Sequence, residues 1–501
     1  MSDAVTAIGQ APGTQAGERS RWIALYVLCV GMLMIILDST IVNVALPSIK
    51  SDLGFSQSSL AWVVNAYLIP FGGLLLLAGR LGDLISRRGV FLVGLGVFTG
   101  ASLVCGIAQS QEVLIGARFI QGAGGALTSA VILGMIVTMF PEPRERLKAI
   151  GVYSFVASAG ASIGLLAGGV LTEAINWHWI FFVNLPIGAA TALLALRLIE
   201  RDKGIGFGHG ADVLGAVLVT SSLMLLVYTI VEAADYGWGS AHTLGLGAGA
   251  FALGAAFLIR ETRTPNPLIP LRVFRSPNVS GANLIQMLMV AGLFGMFFLG
   301  SLYLERVLGY SALEIGLAFL PVALLIGILS LGFSARLNER FGARATLVPG
   351  LVLVVIGLLY FARIPVDADY VVDILPGMVG FGLGAGLAFP SLMTLAMSDA
   401  TETDSGLASG LVNTTLQMGG ALGLAVLATL STTRTDTLLA SGESAASALT
   451  DGYKLAFAIG AGLVIAAIAI AIAVLRPPVA PQEAEVEADV GGQQPAYSEA
   501  A

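Results

Sequence analysis

The sequence predicts an all-α integral membrane protein of about fourteen spans, arranged as two six-helix pseudo-symmetric halves with two further helices inserted centrally. Three observations lead there. Of 501 residues, 56% are hydrophobic and only 11% charged, a balance that a water-soluble domain of this size does not keep. The apolar residues fall in continuous runs of about 20, the length that crosses a bilayer core, separated by short polar turns. The runs also lack the alternation, about ten residues long, of a membrane β-barrel, so each backbone amide must find its partner within its own segment, as a helix provides.

To within about four residues, the spans are expected near 22–46, 59–79, 89–109, 113–138, 149–172, 179–199, 211–232, 242–260, 280–304, 314–335, 345–364, 371–396, 407–430 and 453–475. The polar opening is followed by an apolar segment longer and later than a cleavable signal, which is therefore expected to stay as the first span. Basic residues set the orientation. With a cytoplasmic N-terminus, five of the 25 Lys and Arg (Lys50, Arg306, Arg363, Arg434 and Lys454) lie on the far side, Arg118 lies within a span, and the remaining 19 are cytoplasmic. An even span count then makes both tails cytoplasmic.

Weak internal repetition marks the two halves. The turn Gly79–Arg88 has a degenerate echo in Ser334–Arg344, and the small-residue helix 151–171 has one in 406–427. The expected division is a disordered tail at 1–20, a first half at 21–200, an inserted pair with linkers at 201–278, a second half at 279–476 and a disordered acidic tail at 477–501.

Several residues stand out chemically. Asp38 is an isolated carboxylate in an apolar helix, expensive to bury unless protonated, paired or hydrated, which makes it a candidate proton carrier. Arg118 must meet an acid, a carbonyl or water, or else snorkel to the interface. Gln121, three residues on, shares its face and is expected to line a substrate cavity, as are Asn43, Asn283, Gln286, Asn413 and Gln417. Trp62 and Tyr67 would add an apolar, polarisable wall. Glu305 is a candidate second proton site, with neighbouring Arg306 as its simpler partner. Gly160, Gly164 and Gly168 recur every four residues and, with Gly169, form a flat packing face.

Five motifs in order resemble the fourteen-span drug:proton antiporter branch of the major facilitator superfamily, over roughly residues 20–475. They are Leu37–Pro47 in span one, Trp62–Tyr67 in span two, the turn Gly79–Arg88, Arg118–Ala126 in span four and Gly160–Gly169 in span five. Two departures are Leu84 and Ser86 in the turn, and Leu165 stands where the family has Pro. The resemblance implies the major facilitator fold and export of small amphipathic or cationic compounds in exchange for protons. It implies that Asp38 and Arg118 serve proton coupling, and that Gly79, Asp83, Arg87 and Arg88 form a latch that breaks as the halves rock. Leu165 keeps open a proton symporter or importer on the same fold; a non-transporting receptor or scaffold is the other alternative.

Enzyme chemistry is not expected. There is no nucleotide loop, metal cluster or nucleophile elbow, and the three histidines (His178, His209, His242) lie in or near loops. Cys29 and Cys105 lack metal-site spacing and read as free buried thiols. No cofactor, metal or nucleic acid is expected. The expected partners are protons, a small molecule and the lipid of a bacterial cytoplasmic membrane, with the chain acting as a monomer.

Overall fold

Serine caps start many of the helices in the computed structural model, which describes residues 12–204, 206, 212–265, 267–268, 271–397 and 405–476. The side chains of Ser56, Ser86, Ser110, Ser240, Ser276, Ser311 and Ser444 each accept a bond from a first-turn amide. The first half comprises α1 (Pro12–Leu53), α2 (Gln57–Leu84), α3 (Arg87–Gly106), α4 (Gln111–Met139), α5 (Pro143–Ala174), the single turn α6 (Trp179–Phe182) and α7 (Asn184–Leu198). The inserted pair is α8 (Val213–Tyr236) and α9 (Ala241–Arg263). The second half comprises α10 (Pro277–Arg306), α11 (Ala312–Ile328), α12 (Ser334–Phe341), α13 (Ala343–Phe361), α14 (Leu375–Met397), α15 (Ser405–Ala440) and α16 (Ala445–Ala473). A π-turn at Leu329–Phe333 joins α11 to α12, and another at Tyr370–Ile374 opens α14.

Among the described residues, twelve helices are long and apolar enough to cross a membrane. The fifth and tenth expected spans contribute the shorter apolar stretches Ile163–Ala174 and Ala312–Ile328, so the count of fourteen is not reached on this measure. Helix α1 begins at Pro12, inside the segment expected as a tail, while residues 1–11 and 477–501 lie outside the described residues.

Within the first half α1 packs on α5 and α7, and α4 on α2 and α3; within the second, α10 packs on α15 and α16, and α13 on α14. The halves meet along two seams, α2 against α15 and α5 against α11, with α1 reaching α10 between them. Helix α8 lies on the first seam, touching both α2 and α15, and carries α9 on its outer side. Large apolar side chains such as Phe251, Leu193 and Val93 point outward, exposed by 72%, 61% and 60%. Water would not tolerate that belt, whereas lipid matches it.

Candidate functional site

Asp38 sits in the middle of α1 with no exposed surface, and the first half is built around it. Arg118 Nη1 donates to Asp38 Oδ2 at 2.6 Å and to Gln121 Oε1 at 2.7 Å. Gln121 Nε2 in turn donates to Asp38 Oδ1 at 2.7 Å, and Asn184 Nδ2 donates to the same oxygen at 2.8 Å. Ser102 Oγ accepts from Gln121 at 2.8 Å and from Asn184 at 3.3 Å, and donates to the Phe98 carbonyl. Three donors converge on a carboxylate that can accept all of them, and the arginine is held by an acid and, through Nε, by the Val63 carbonyl at 2.9 Å. The Tyr67 ring lies under the guanidinium at 4.3 Å. Arg118 is 1% exposed, so this is a buried ion pair, not a snorkelling arginine.

Small residues let the helices come close enough for these bonds. A side chain at Gly122 would strike the Tyr67 carbonyl, and one at Gly124 would meet the backbone of Phe98 at 2.5 Å. Helix α4 therefore lies directly on α2 and α3, within reach of Val63 and Ser102. The α5 face does the same for α1: Gly160 lies against Leu33 and Ile36, Gly164 against Thr40 and the Leu37 carbonyl, and Gly168 against Ile41. That is the turn carrying Asp38. Gly169 faces the other way, against Ala312 and Leu313 of α11, and the Leu165 carbonyl faces Gly316 of the same helix. The glycine motif thus packs one face inside its own half and one against the other half.

Several residues expected in a cavity hold helices together instead. Gln121 is fully buried in the ion-pair network. Asn283 donates to the Val279 carbonyl and accepts from Thr415 Oγ1 at 2.8 Å, and Gln286 donates to the Val412 carbonyl at 2.8 Å, so both tie α10 internally or to α15. Asn43 is buried and donates to the Ser39 carbonyl of its own helix. Trp62 lines an apolar pocket of about 470 Å³ with Phe119, Met224 and Tyr228, on the side of the inserted pair. Tyr67 is buried under Arg118. Asn413 is exposed, and Gln417 is half-buried beside Gly72 on the α2–α15 seam.

At the Arg-rich end, Asp83 pairs with Arg87 at 2.9 Å, and Arg87 Nη1 donates to the Gly134 carbonyl and Thr138 Oγ1 of α4. Arg88 donates to the Leu196 carbonyl at 2.6 Å, at the C-terminus of α7 where a cation is favoured. The bonds described for these three residues all join helices of the first half. Gly82, against Val131, is the close-packed glycine of this turn; Gly79 faces open space. Asp202, which the sequence did not single out, accepts from Ser86 Oγ, Arg87 N and Arg88 N and so caps α3. Burial pushes its carboxyl up, but those bonds outweigh it and hold Asp202 below the usual aspartate range.

Glu305 lies far from Asp38, at the opposite end of the bundle. Its Oε2 is buried with no hydrogen bond among the described residues and lies 3.5 Å from Arg306 Nε, within electrostatic reach of Lys50 from α1. The sequence also missed Ser102 and Asn184. Both are lone polar residues in apolar helices, the signal that found Asp38. No group of three or more potential metal ligands occurs among the described residues.

A family model described as Major Facilitator Superfamily matches residues 28–424. The puromycin resistance protein of Streptomyces alboniger is 38% identical over 463 residues, covering 91% of this chain and 92% of that protein. The cephamycin export protein of Amycolatopsis lactamdurans is 38% identical over 457 residues, 91% of each. The tetracenomycin C resistance and export protein of Streptomyces glaucescens is 34% identical over 429 residues, 85% of this chain and 79% of that protein. Among solved structures, an inward-facing, unoccupied bacterial homologue of the human lysosomal transporter Spinster superposes with a TM-score of 0.64 at 17% identity, over 92% of this chain and 97% of the other.

Proposed function

Because the chain belongs to the major facilitator superfamily, we propose that it exports small amphipathic or cationic compounds, in the manner of an antibiotic-resistance transporter, in exchange for protons. The observation that carries the proton coupling is the buried Asp38–Arg118 pair. An apolar helix gains nothing from such a pair as packing, because hydrophobic residues of similar volume serve as well or better. A proton arriving on Asp38 removes the charge that holds Arg118 and replaces an acceptor with a donor. Arg118 is then left with the Val63 carbonyl, Gln121 and the Tyr67 ring, and the join between α1 and α4 weakens.

Helix α1 passes that change on. Its Asp38 turn is pressed against α5 by Gly164 and Gly168, and α5 meets α11 of the opposite half through Gly169. Protonation in the first half therefore acts on a seam between halves, which is what alternating access requires. Asp83, Arg87, Arg88 and Asp202 brace the Arg-rich end, which the positive-inside rule makes cytoplasmic in a bacterial inner membrane. Gln417, half-buried on the α2–α15 seam, and exposed Asn413 one turn before it are the remaining cavity candidates. For one proton exchanged against one monovalent cation no net charge moves, so the pH difference alone drives export.

Leu165 favours import by its departure from the exporter motif. Against that, the relatives include resistance and export proteins, and Gly160, Gly164, Gly168 and Gly169 keep their close contacts with Leu165 in place. The test is flux direction. Inverted membrane vesicles carrying the protein, acidified inside and given ethidium outside, take up the dye and release it when the pH gradient is collapsed. Uptake only in right-side-out vesicles, acid outside, would establish the importer instead.

A further inference from the structure

We propose that Glu173 is the latch of the outer gate, closing the seam between the halves by capping α11 from α5; this rests on the alternating-access reading above. Glu173 lies one residue before the end of α5, where its own helix's exposed carbonyls disfavour a carboxylate. The compensation comes from the opposite half. Glu173 Oε2 accepts a bond from Leu313 N in the first turn of α11 at 3.0 Å. Helix α11 already has an internal capping box, in which Ser311 Oγ accepts from Glu314 N and Glu314 Oε2 accepts from Ser311 N. The amide of Leu313 is left over, and it is the one that Glu173 takes.

Below this bond the backbones of α5 and α11 approach at two glycines. Gly169 lies on the backbone of Ala312 and Leu313, and Gly316 lies on the Leu165 carbonyl, so any separation of the halves breaks these contacts at once. At the same rim buried Lys50 of α1 faces Glu305 and Arg306 of α10, whose opposite charges act on it against one another. The cap from Glu173 thus holds the rim opposite the Arg-rich end, and a small rotation releases it.

The experiment uses Leu165→Cys as a reporter, since Leu165 is 2% exposed on the seam and the natural thiols Cys29 and Cys105 are buried. Purified protein in lipid nanodiscs is labelled with a water-soluble maleimide, with Glu173 intact, with Glu173→Gln and with Glu173→Ala. Labelling rises about fivefold in the alanine variant, the population change that accompanies loss of one helix cap. It rises less in the glutamine variant, whose side-chain oxygen still accepts from Leu313. A parallel reporter at buried Ser334→Cys, towards the Arg-rich end, does not gain. Equal rates at Leu165→Cys in all three proteins, or an equal rise at both reporters, would overturn the proposal. Unchanged labelling with dye export intact refutes the gate alone, whereas changed labelling without export of any dye refutes the transport reading and leaves the gate standing.

Discussion

Neutralising one member of the Asp38–Arg118 pair is worse than neutralising both. In Asp38→Asn the amide oxygen still accepts from Gln121 and Asn184, but its NH₂ faces Arg118 Nη1, so a donor meets a donor at a site where the partners stand 2.6 Å apart. The guanidinium, 1% exposed, keeps its charge without a counter-charge. Breaking a buried pair from one side costs about 3–5 kcal/mol. In Asp38→Asn/Arg118→Gln the stranded charge is gone and the two amides can bond to each other, so most of that loss returns, leaving a coupling energy of at least about 2 kcal/mol. Reversible unfolding of the purified variants in mixed micelles measures all four corners of the cycle. Single variants each within about 1 kcal/mol of the natural protein, or a double variant as unstable as the sum of the singles, would refute a coupled pair.

Other consequences follow from the same geometry. Asn184→Leu removes one donor to Asp38 and leaves the site short by about 1–3 kcal/mol, which dye-transport rates register as at least about a fivefold loss with the protein still folded. Gly164→Val drives a side chain into Thr40 and the Leu37 carbonyl, and is expected to abolish export and lower the melting temperature, whereas Gly79→Ala, which meets open space, leaves both near their natural values. Gln286→Leu breaks the bond to Val412 and lowers stability by about 0.6–1.7 kcal/mol while leaving proton-coupled export in place. Asp202 has a folded pKa below its unfolded value, so its contribution is complete above about pH 4 and is lost as pH falls through the lower folded value. Being exposed, it contributes less than a full helix cap of about 1 kcal/mol, and Asp202→Asn flattens the acid limb of a stability–pH curve by that amount.

The fold was legible because its signals are local. Apolar runs show the spans, and the order of short motifs gives the superfamily. The ion pair was half legible: Asp38 and Arg118 each stood out as a charge in an apolar helix, and each needed a partner. That they are each other's partner is a contact across 80 positions, which no periodicity reveals. Gln121 was placed on the correct face of α4, but only the arrangement of α1, α3 and α7 around it makes that face an interior one. Asn184 and Ser102 escaped because a single amide or hydroxyl in a span is common and most such groups only bond between helices. Asp202 escaped because a loop carboxylate gives no sign that it caps a helix begun more than a hundred residues earlier. At the tenth span the shortfall in span count has a physical source as well. The tenth span bends through a π-turn into α12, which carries charge, so its apolar stretch alone is short.

The most direct test of the account is proton release. Purified protein in weakly buffered micelles, near neutral pH and with a pH-sensitive dye present, is mixed with a cation already shown to be transported in inverted vesicles. The account predicts that cation binding closes the Asp38–Arg118 pair in the protonated form and releases that proton to the medium in the natural protein, and that Asp38→Asn releases none. Release of the same size from Asp38→Asn would place the proton elsewhere and contradict the account.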